Sequence, residues 1–320
     1  MSWRRTSFFL AALALTWSVY HFYIHGKPRA TESVFSFSQE PVRPRVLSLN
    51  PGELVHRMTI RDVSKESSIS FLKLDDQSWR VKEPVDYPAE SVMVDGFVSL
   101  LKLNPRIREL SFEGLEASEF GFDVPSLSIC VATNIRPAQR CLIIGSDAAI
   151  AKGAYAKWKD EGRYFLVDQS FLQAFDKTLY SVRKKQVFNL LEKEIESIHR
   201  QSEKSAIEIQ VQGKQWVLAK PVEAVLGPKA MDDLLIELNH LYVKEFLDDE
   251  PSKDSKLGFD PPSRSIQVRF KDDTHQTLIL GREASRKDAY YARSDESGTI
   301  LLISSGKVRQ IERAFDALVS

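Results

Sequence analysis

One stretch occurs twice in this chain, and it constrains the fold more than any other feature. Residues 120–131 read Phe-Gly-Phe-Asp-Val-Pro-Ser-Leu-Ser-Ile-Cys-Val, and residues 257–268 read Leu-Gly-Phe-Asp-Pro-Pro-Ser-Arg-Ser-Ile-Gln-Val. Identity falls at Gly121/Gly258, Phe122/Phe259, Asp123/Asp260, Pro125/Pro262, Ser126/Ser263, Ser128/Ser265, Ile129/Ile266 and Val131/Val268. The same spacing joins Trp79 to Trp216 and Pro84 to Pro221 upstream. It shortens by one residue at Gly145/Gly281 and by one more at Tyr155/Tyr290, as two small loop indels would make it. Self-similarity held over this length means a duplicated structural unit, each copy with its own core.

The residue types fit a turn feeding a hairpin. Gly tolerates positive φ, Asp can hydrogen-bond its own backbone two residues on, and Pro fixes φ. Asp123 and Asp260 are therefore expected to cap their own turns rather than to act as catalytic acids. The alternating run after each Pro reads as a strand. Trp79 and Trp216 read as core-edge aromatics rather than ligand-stacking ones, because large aromatics dominate burial.

Hydrophobic periodicity extends this to an α+β fold of two tandem repeats. Each is expected to be a mostly antiparallel sheet with helices packed on one face, and one transmembrane helix precedes the pair. In the first repeat, strands are expected at Val46–Leu49, Arg57–Arg61, Ile69–Leu74, Trp79–Lys82, Ile107–Phe112, Ala154–Lys157 and Tyr164–Val167. A helix from Ala89 to Leu103 would bury Met93, Phe97, Leu100 and Leu101, with Pro88 in its first turn. Another opens at Ser170 with Phe171, Leu172, Phe175 and Leu179 on one face. The second repeat offers strands at Ala206–Val211, Trp216–Ala219 and Val243–Leu247. Its helices are expected at Pro228–Leu241, carrying Met231, Leu234, Leu235, Leu238 and Leu241, and at Gly306–Leu318, burying Val308, Ile311, Phe315 and Leu318.

The N-terminus reads as an anchor. After Arg4 and Arg5, no Asp, Glu, Lys or Arg occurs from Thr6 to Gly26. About 20 apolar residues cross a bilayer core of roughly 30 Å. Trp17, Tyr20 and Tyr23 would form an aromatic belt on the exit side, and the early arginines would keep the N-terminus in the cytoplasm. A cleaved signal peptide fits less well. Ala12-Leu13-Ala14 offers a cleavage pattern, but cutting there leaves a very short apolar core. The organisation is thus an anchor at 1–25, a Pro-rich spacer at 26–44, a first unit at 45–186 and a second at 187–320.

Chemistry is sparse. Lys and Arg total 44, as do Asp and Glu, so nothing favours nucleic acid as a partner. The histidines are scattered, and no zinc, calcium-loop, phosphate-loop, dinucleotide or nucleophile-elbow motif occurs. No catalytic, cofactor-binding or metal residue is expected, and no cofactor. Asp248-Asp249-Glu250 and Asp272-Asp273 read as solvated turn charges. Arg183-Lys184-Lys185 reads as a solvated hinge between the units, with an anion or partner contact as the sharper reading. Cys130 and Cys141 lie on the two arms of one hairpin. They could bridge in an oxidising compartment or remain two half-buried thiols. Gln267 and Thr277 stand at these places in the second unit, so the fold requires no bridge.

Together, the anchor, Trp79-x-x-x-x-Pro84, the Ala89 helix, Gly121-Phe-Asp-x-Pro125, Leu-Ile-Ile-Gly145 and Tyr155 resemble a bacterial family. It is the membrane-anchored proteins carrying domain of unknown function 4340, and the resemblance covers residues 45–320. Members are often encoded beside ABC transporter components of the gliding-motility type. The resemblance implies an extracytoplasmic accessory subunit and transfers no catalytic residue. The expected role is therefore a scaffold or accessory protein of an envelope complex, held in the inner membrane with its bulk in the periplasm. Its partners would be the lipid bilayer, through the N-terminal helix, and envelope proteins. The rivals are a periplasmic enzyme and a glycan- or solute-binding module, for which Tyr155 and Tyr290 would be the first candidates.

Overall fold

Two antiparallel sheets of nine strands each carry the two repeats. The computed structural model describes residues 43–110, 116–148, 152–191, 193–203, 205–249, 254–262, 264–284, 287–295 and 297–319, together with Trp17. The first sheet comprises β1 Val55–Asp62, β2 Ser67–Lys73, β3 Trp79–Glu83, β4 Tyr87–Pro88, β5 Glu109–Leu110, β6 Leu127–Thr133, β7 Arg140–Asp147, β8 Gly153–Trp158 and β9 Tyr164–Asp168. The second comprises β10 Ile195–Ser202, β11 Ala206–Gln212, β12 Gln215–Lys220, β13 Ala224–Val225, β14 Val243–Leu247, β15 Arg264–Phe270, β16 His275–Ala284, β17 Ala289–Ser294 and β18 Ile300–Ser304. Their spatial orders match: β4-β3-β2-β1-β6-β7-β8-β9-β5 and β13-β12-β11-β10-β15-β16-β17-β18-β14. Among the described residues no helix is long and apolar enough to cross a membrane. The anchor expected at 1–25 and the spacer at 26–44 lie almost wholly outside the described residues.

Among the described residues from Arg43 onward the α-helices are α1 Ser91–Leu103, α2 Gln169–Phe175, α3 Leu179–Val182, α4 Pro228–Asn239, α5 Asp254–Leu257 and α6 Ser305–Asp316. Side chains alternate across each strand, and one face of each sheet meets the longer helices. In the first repeat Met58, Phe71, Val81, Ile129, Leu142 and Phe165 share a buried cluster with Val94, Phe97 and Leu101 of α1 and with Phe171 and Phe175 of α2. In the second, Ile198, Ile209, Leu218, Val268, Leu278 and Leu301 share one with Met231, Leu234 and Leu238 of α4 and with Val308, Ile311 and Phe315 of α6.

Four local expectations change. Val46–Leu49 is not a strand. Val46 and Leu47 are buried, and their N–H groups donate to the carbonyls of Asn104 and Leu101 at 2.9 and 2.8 Å. The segment thus serves carbonyls that the end of α1 leaves unmet. Pro88 belongs to β4, and α1 begins after Glu90. The helix opened near Ser170 breaks into two: Asp168 caps α2 by accepting from Phe171 N, and Thr178 caps α3 by accepting from Ser181 N. The central strand β10 has no counterpart in the sequence reading, because Arg200 interrupts its apolar alternation on the core face. Its guanidinium is 6% exposed there, held by Glu312 and Asp316 of α6 and by Ser205.

The glycines of the repeat have a common cause. Gly121, at φ +72°, closes a 3₁₀ turn over Ala117–Phe120, and Gly258 stands at φ +84°. Each turn lies directly on the following hairpin's second strand. A Cβ at Gly145 would sit 2.0 Å from the Phe120 carbonyl oxygen, and one at Gly281 would sit 2.2 Å from that of Leu257. Backbone meets backbone in both repeats, which only glycine allows. Pro84 and Pro221 likewise both follow cis peptide bonds. The aspartates contribute nothing comparable. Asp123 and Asp260 are exposed, and among the described residues their side chains make no hydrogen bond, so the expected self-capping turn is absent. Asp123→Ala, and not only Asp123→Asn, should therefore change unfolding free energy by no more than about 0.5 kcal/mol. Urea denaturation checks this.

Strand pairing also moves one register. Ala156 pairs with Ile144, and Ala292 with Leu280; Tyr155 pairs with Leu166, and Tyr291 with Leu302. The counterpart of Tyr155 is therefore Tyr291 rather than Tyr290, and that of Lys157 is Arg293 rather than Ala292. Adjacent tyrosines hid this in the sequence. The corrected register uncovers a retained contact on the outer face. Lys157 Nζ lies 4.7 Å from the Phe122 ring centre, and Arg293 Cζ lies 4.7 Å from that of Phe259. Each repeat holds its turn phenylalanine under a cation, an attraction between charge and ring quadrupole.

Candidate functional site

The repeats differ at the hairpin end where β6 turns into β7. In the second repeat the equivalent turn, Lys271–Thr274, is tight and closed by surface charges. Asp272 accepts from Lys193 Nζ at 2.7 Å and from Thr274 N at 3.0 Å, and Lys271 pairs with Glu194. These donors push the Asp272 carboxyl down to about 2, Lys193 contributing most.

In the first repeat the loop from Asn134 to Gln139 is longer, and it stands over a groove of about 770 Å³. Leu47, Leu49, Val131, Ile135, Pro137 and Cys141 supply much of its lining. Beneath the loop lies Glu53, 3% exposed. Its carboxylate accepts from Thr133 Oγ1 at 2.7 Å, Arg136 Nη2 at 2.9 Å and the Asn50 N–H at 3.0 Å. Asn134 ties the loop to the preceding segment: its Oδ1 accepts from Leu54 N at 2.8 Å and its Nδ2 donates to the Gly52 carbonyl at 3.1 Å. The Arg136 guanidinium first, then the Asn50 amide and the Thr133 hydroxyl, push Glu53 down to about 2 from an ordinary 4.5. A carboxylate so held is a fixed anion that organises the groove wall, not a base poised near neutral pH.

This has a pH signature. Because the folded pKa lies below the ordinary one, the contribution of Glu53 is complete above about pH 4.5 and is lost as pH falls towards about 2. Glu53→Gln should flatten the acid limb of stability between those values and leave its neutral limb parallel to the wild type. Chemical denaturation at stepped pH reads both.

The residues singled out in the sequence fall elsewhere. Trp79 is buried, and its indole N–H donates to Asp95 Oδ1 at 2.8 Å; Trp216 packs, half-buried, against the second core. Tyr155 meets Phe120 edge-on at 4.8 Å between ring centres. Tyr290 lies under Arg264, whose Cζ is 4.6 Å from the ring centre. Cys130 and Cys141 face each other across β6 and β7 and are joined as a disulfide, and Gln267 pairs with Thr277 at the same place in the second sheet. Among the described residues no group of three or more His, Cys, Asp or Glu side chains is arranged to hold a metal ion.

The basic run is neither a solvated hinge nor an anion site. Arg183 is 1% exposed and binds Asp248 through both terminal nitrogens, at 2.8 and 2.6 Å. It is sandwiched between Tyr87 of the first repeat and Phe246 of the second, 4.8 and 4.2 Å from their ring centres. Lys185 donates to the Ser181 and Arg183 carbonyls at 2.8 and 2.9 Å, and burial pushes its ammonium pKa down. The run is a clamp joining the repeats, and Asp248 is its acceptor rather than a solvated turn charge. Glu53 and Arg136 were not singled out from the sequence. The one-residue indel between Val131 and Cys141 was the available signal for the loop.

A family model described as domain of unknown function (DUF4340) matches residues 79–262 and again residues 216–320. The chain belongs to this family. Together the two overlapping DUF4340 matches run from β3 to the end of the second sheet and leave β1 and β2 of the first sheet outside them. No curated protein and no solved structure matches the chain.

Proposed function

We propose that this DUF4340 protein is a single-pass, membrane-anchored extracytoplasmic scaffold or accessory subunit of an envelope complex, with an ABC transporter as the complex to test first. The observation that carries the reading is what the duplication retained. Both repeats keep a turn packed on a strand, a cation over the turn phenylalanine and one sheet order, all of which are framework. The uncharged run behind Arg4 and Arg5 supports the anchor and its orientation. The paired Cys130 and Cys141 suit an oxidising compartment.

A periplasmic enzyme or a glycan-binding module is the other reading. It would call for carboxyls pushed up and convergent in a cleft, or for aromatic faces open to a sugar. Glu53 is pushed the other way, and Tyr155 is engaged edge-on with Phe120.

The test is a reporter fused after Ser320, combined with co-purification after mild detergent extraction. Reporter activity is expected only outside the cytoplasm, and activity in the cytoplasm alone overturns the orientation. Protein from native envelopes should lack free thiols, and Cys130→Ser/Cys141→Ser should still fold. Two freely alkylated thiols overturn the compartment. A stoichiometric protein partner is expected, and its absence overturns the scaffold role.

A further inference from the structure

The inter-repeat interface has an uncovered counterpart. Tyr87 pairs with Val81 and Ala224 with Leu218, so Tyr87 and Ala224 occupy one place; Pro88 and Val225, opposite Arg80 and Val217, occupy the next. Val85 and Val222 each follow the repeat's cis-proline. In the first repeat this edge is covered. Tyr87 is 3% exposed, its ring centre lies 5.0 Å from that of Phe246 on β14, and Val85 packs against the second core. In the second repeat the same edge is bare: Val222 is 70% and Val225 65% exposed, and Ala224 is exposed between them.

We propose that the Pro221–Leu226 hairpin is a docking surface for another protein's sheet edge, one that carries a bulky apolar side chain at the place Phe246 holds in β14. The first repeat shows how such an edge is covered: by the edge strand of a neighbouring sheet, aromatic side chain inward. Ala224 lacks the ring that Tyr87 supplies, so the incoming edge brings the bulk. At the spacing of Gly145 and Gly281, Arg183 falls opposite Val319, which is 42% exposed. The incoming surface therefore needs no carboxylate for a buried arginine. A second copy of this chain fits poorly. Its equivalent edge is β5, where Glu109 pairs with Phe165 as Phe246 pairs with Leu301. Head-to-tail docking would press the Glu109 carboxylate, bound to Arg106 at 3.1 Å, against Ala224, the place that Tyr87 holds against Phe246, and burying a charge away from water is costly. The occupant is a different protein.

This surface rests on the scaffold reading and gives it an address. The test uses the full chain in its own membrane, extracted in mild detergent, as wild type, Val222→Asp/Val225→Asp, and Ile236→Asp on the exposed face of α4 as control. A photo-crosslinking residue at position 222 reports contact. The co-purifying protein should persist in the control, fall at least about tenfold in the double variant, equivalent to about 1.4 kcal/mol, and cross-link through an apolar side chain on a sheet edge. Should the double variant unfold, Ala224→Tyr fills the same space within a folded hairpin and should also release the partner. Retention of the partner by these folded variants overturns the surface and leaves the scaffold role standing. A cross-link to a second copy, or to lipid alone, overturns the choice of occupant. Absence of any partner in the wild type removes the scaffold role and this surface with it.

Discussion

Asp248→Ala should destabilise the protein by about 3–5 kcal/mol, the loss that follows when a buried ion pair keeps only one member. The charge left behind is Arg183, 1% exposed and enclosed by Tyr87 and Phe246. Arg183→Ala should cost less on the electrostatic side, because the Asp248 side chain is 23% exposed and can rehydrate. It also forfeits the stacking on both rings, so it remains damaging. Arg183→Met with Asp248→Leu should recover most of the loss, since replacing both charges with apolar bulk removes the desolvation penalty. The clamp joins two repeats with separate cores, so the single variants should also split one unfolding transition into two, with a lower denaturant slope for each. A cooperative transition in Asp248→Ala, displaced by less than about 1 kcal/mol, would falsify the clamp.

Gly145→Ala and Gly281→Ala should each cost about 3 kcal/mol or more, the upper range for inserting a single carbon where nothing can yield. The obstacles are the Phe120 and Leu257 carbonyl oxygens, at 2.0 and 2.2 Å from the added Cβ. Neither can rotate away as a flexible side chain would, so the turn must lift from the strand. Lifting it pulls Phe122 or Phe259 from under its cation. By contrast, Gly96→Ala in α1 meets nothing within 4 Å and should stabilise, by up to about 1 kcal/mol, through helix propensity. Thermal unfolding of the three variants gives the comparison, and equal behaviour would sink the close-packing account.

The duplicated turn, its following hairpin and the long helices were legible because each rests on local pattern: Gly and Pro at turns, apolar positions every three or four residues. Trp79 was legible as core for the same reason. The central strand β10 was not, since Arg200 reads as surface until Glu312 and Asp316 come to it from a helix more than a hundred residues on. Arg183 was misread likewise, as its partner Asp248 lies in the other repeat and only folding brings them together. Glu53 and Arg136 carry no pattern at all; each is an ordinary loop charge until the hairpin loop closes over the groove. Asp123 fails in the opposite direction. It is repeated in the sequence and suits a turn, yet the glycine beside it sets the geometry and its side chain remains unbonded.

The sheet order also sets a timetable for synthesis. In each repeat the strand made in the middle of the chain is added at the far edge, β5 on β9 and β14 on β18. A chain emerging from its N-terminus can zip β1 to β4 at once, but β5 waits for β9, and closing such long loops is slow. Asp248 directly follows β14, and β14 has no strand to lie on until β18 arrives. The first repeat can therefore complete itself while the second is still being delivered, and the two become joined only near the end. Nascent chains released before Ile300 should show a protease-resistant first repeat beside an undocked, digestible second one. Resistance of both at that length would rule out this sequence of events.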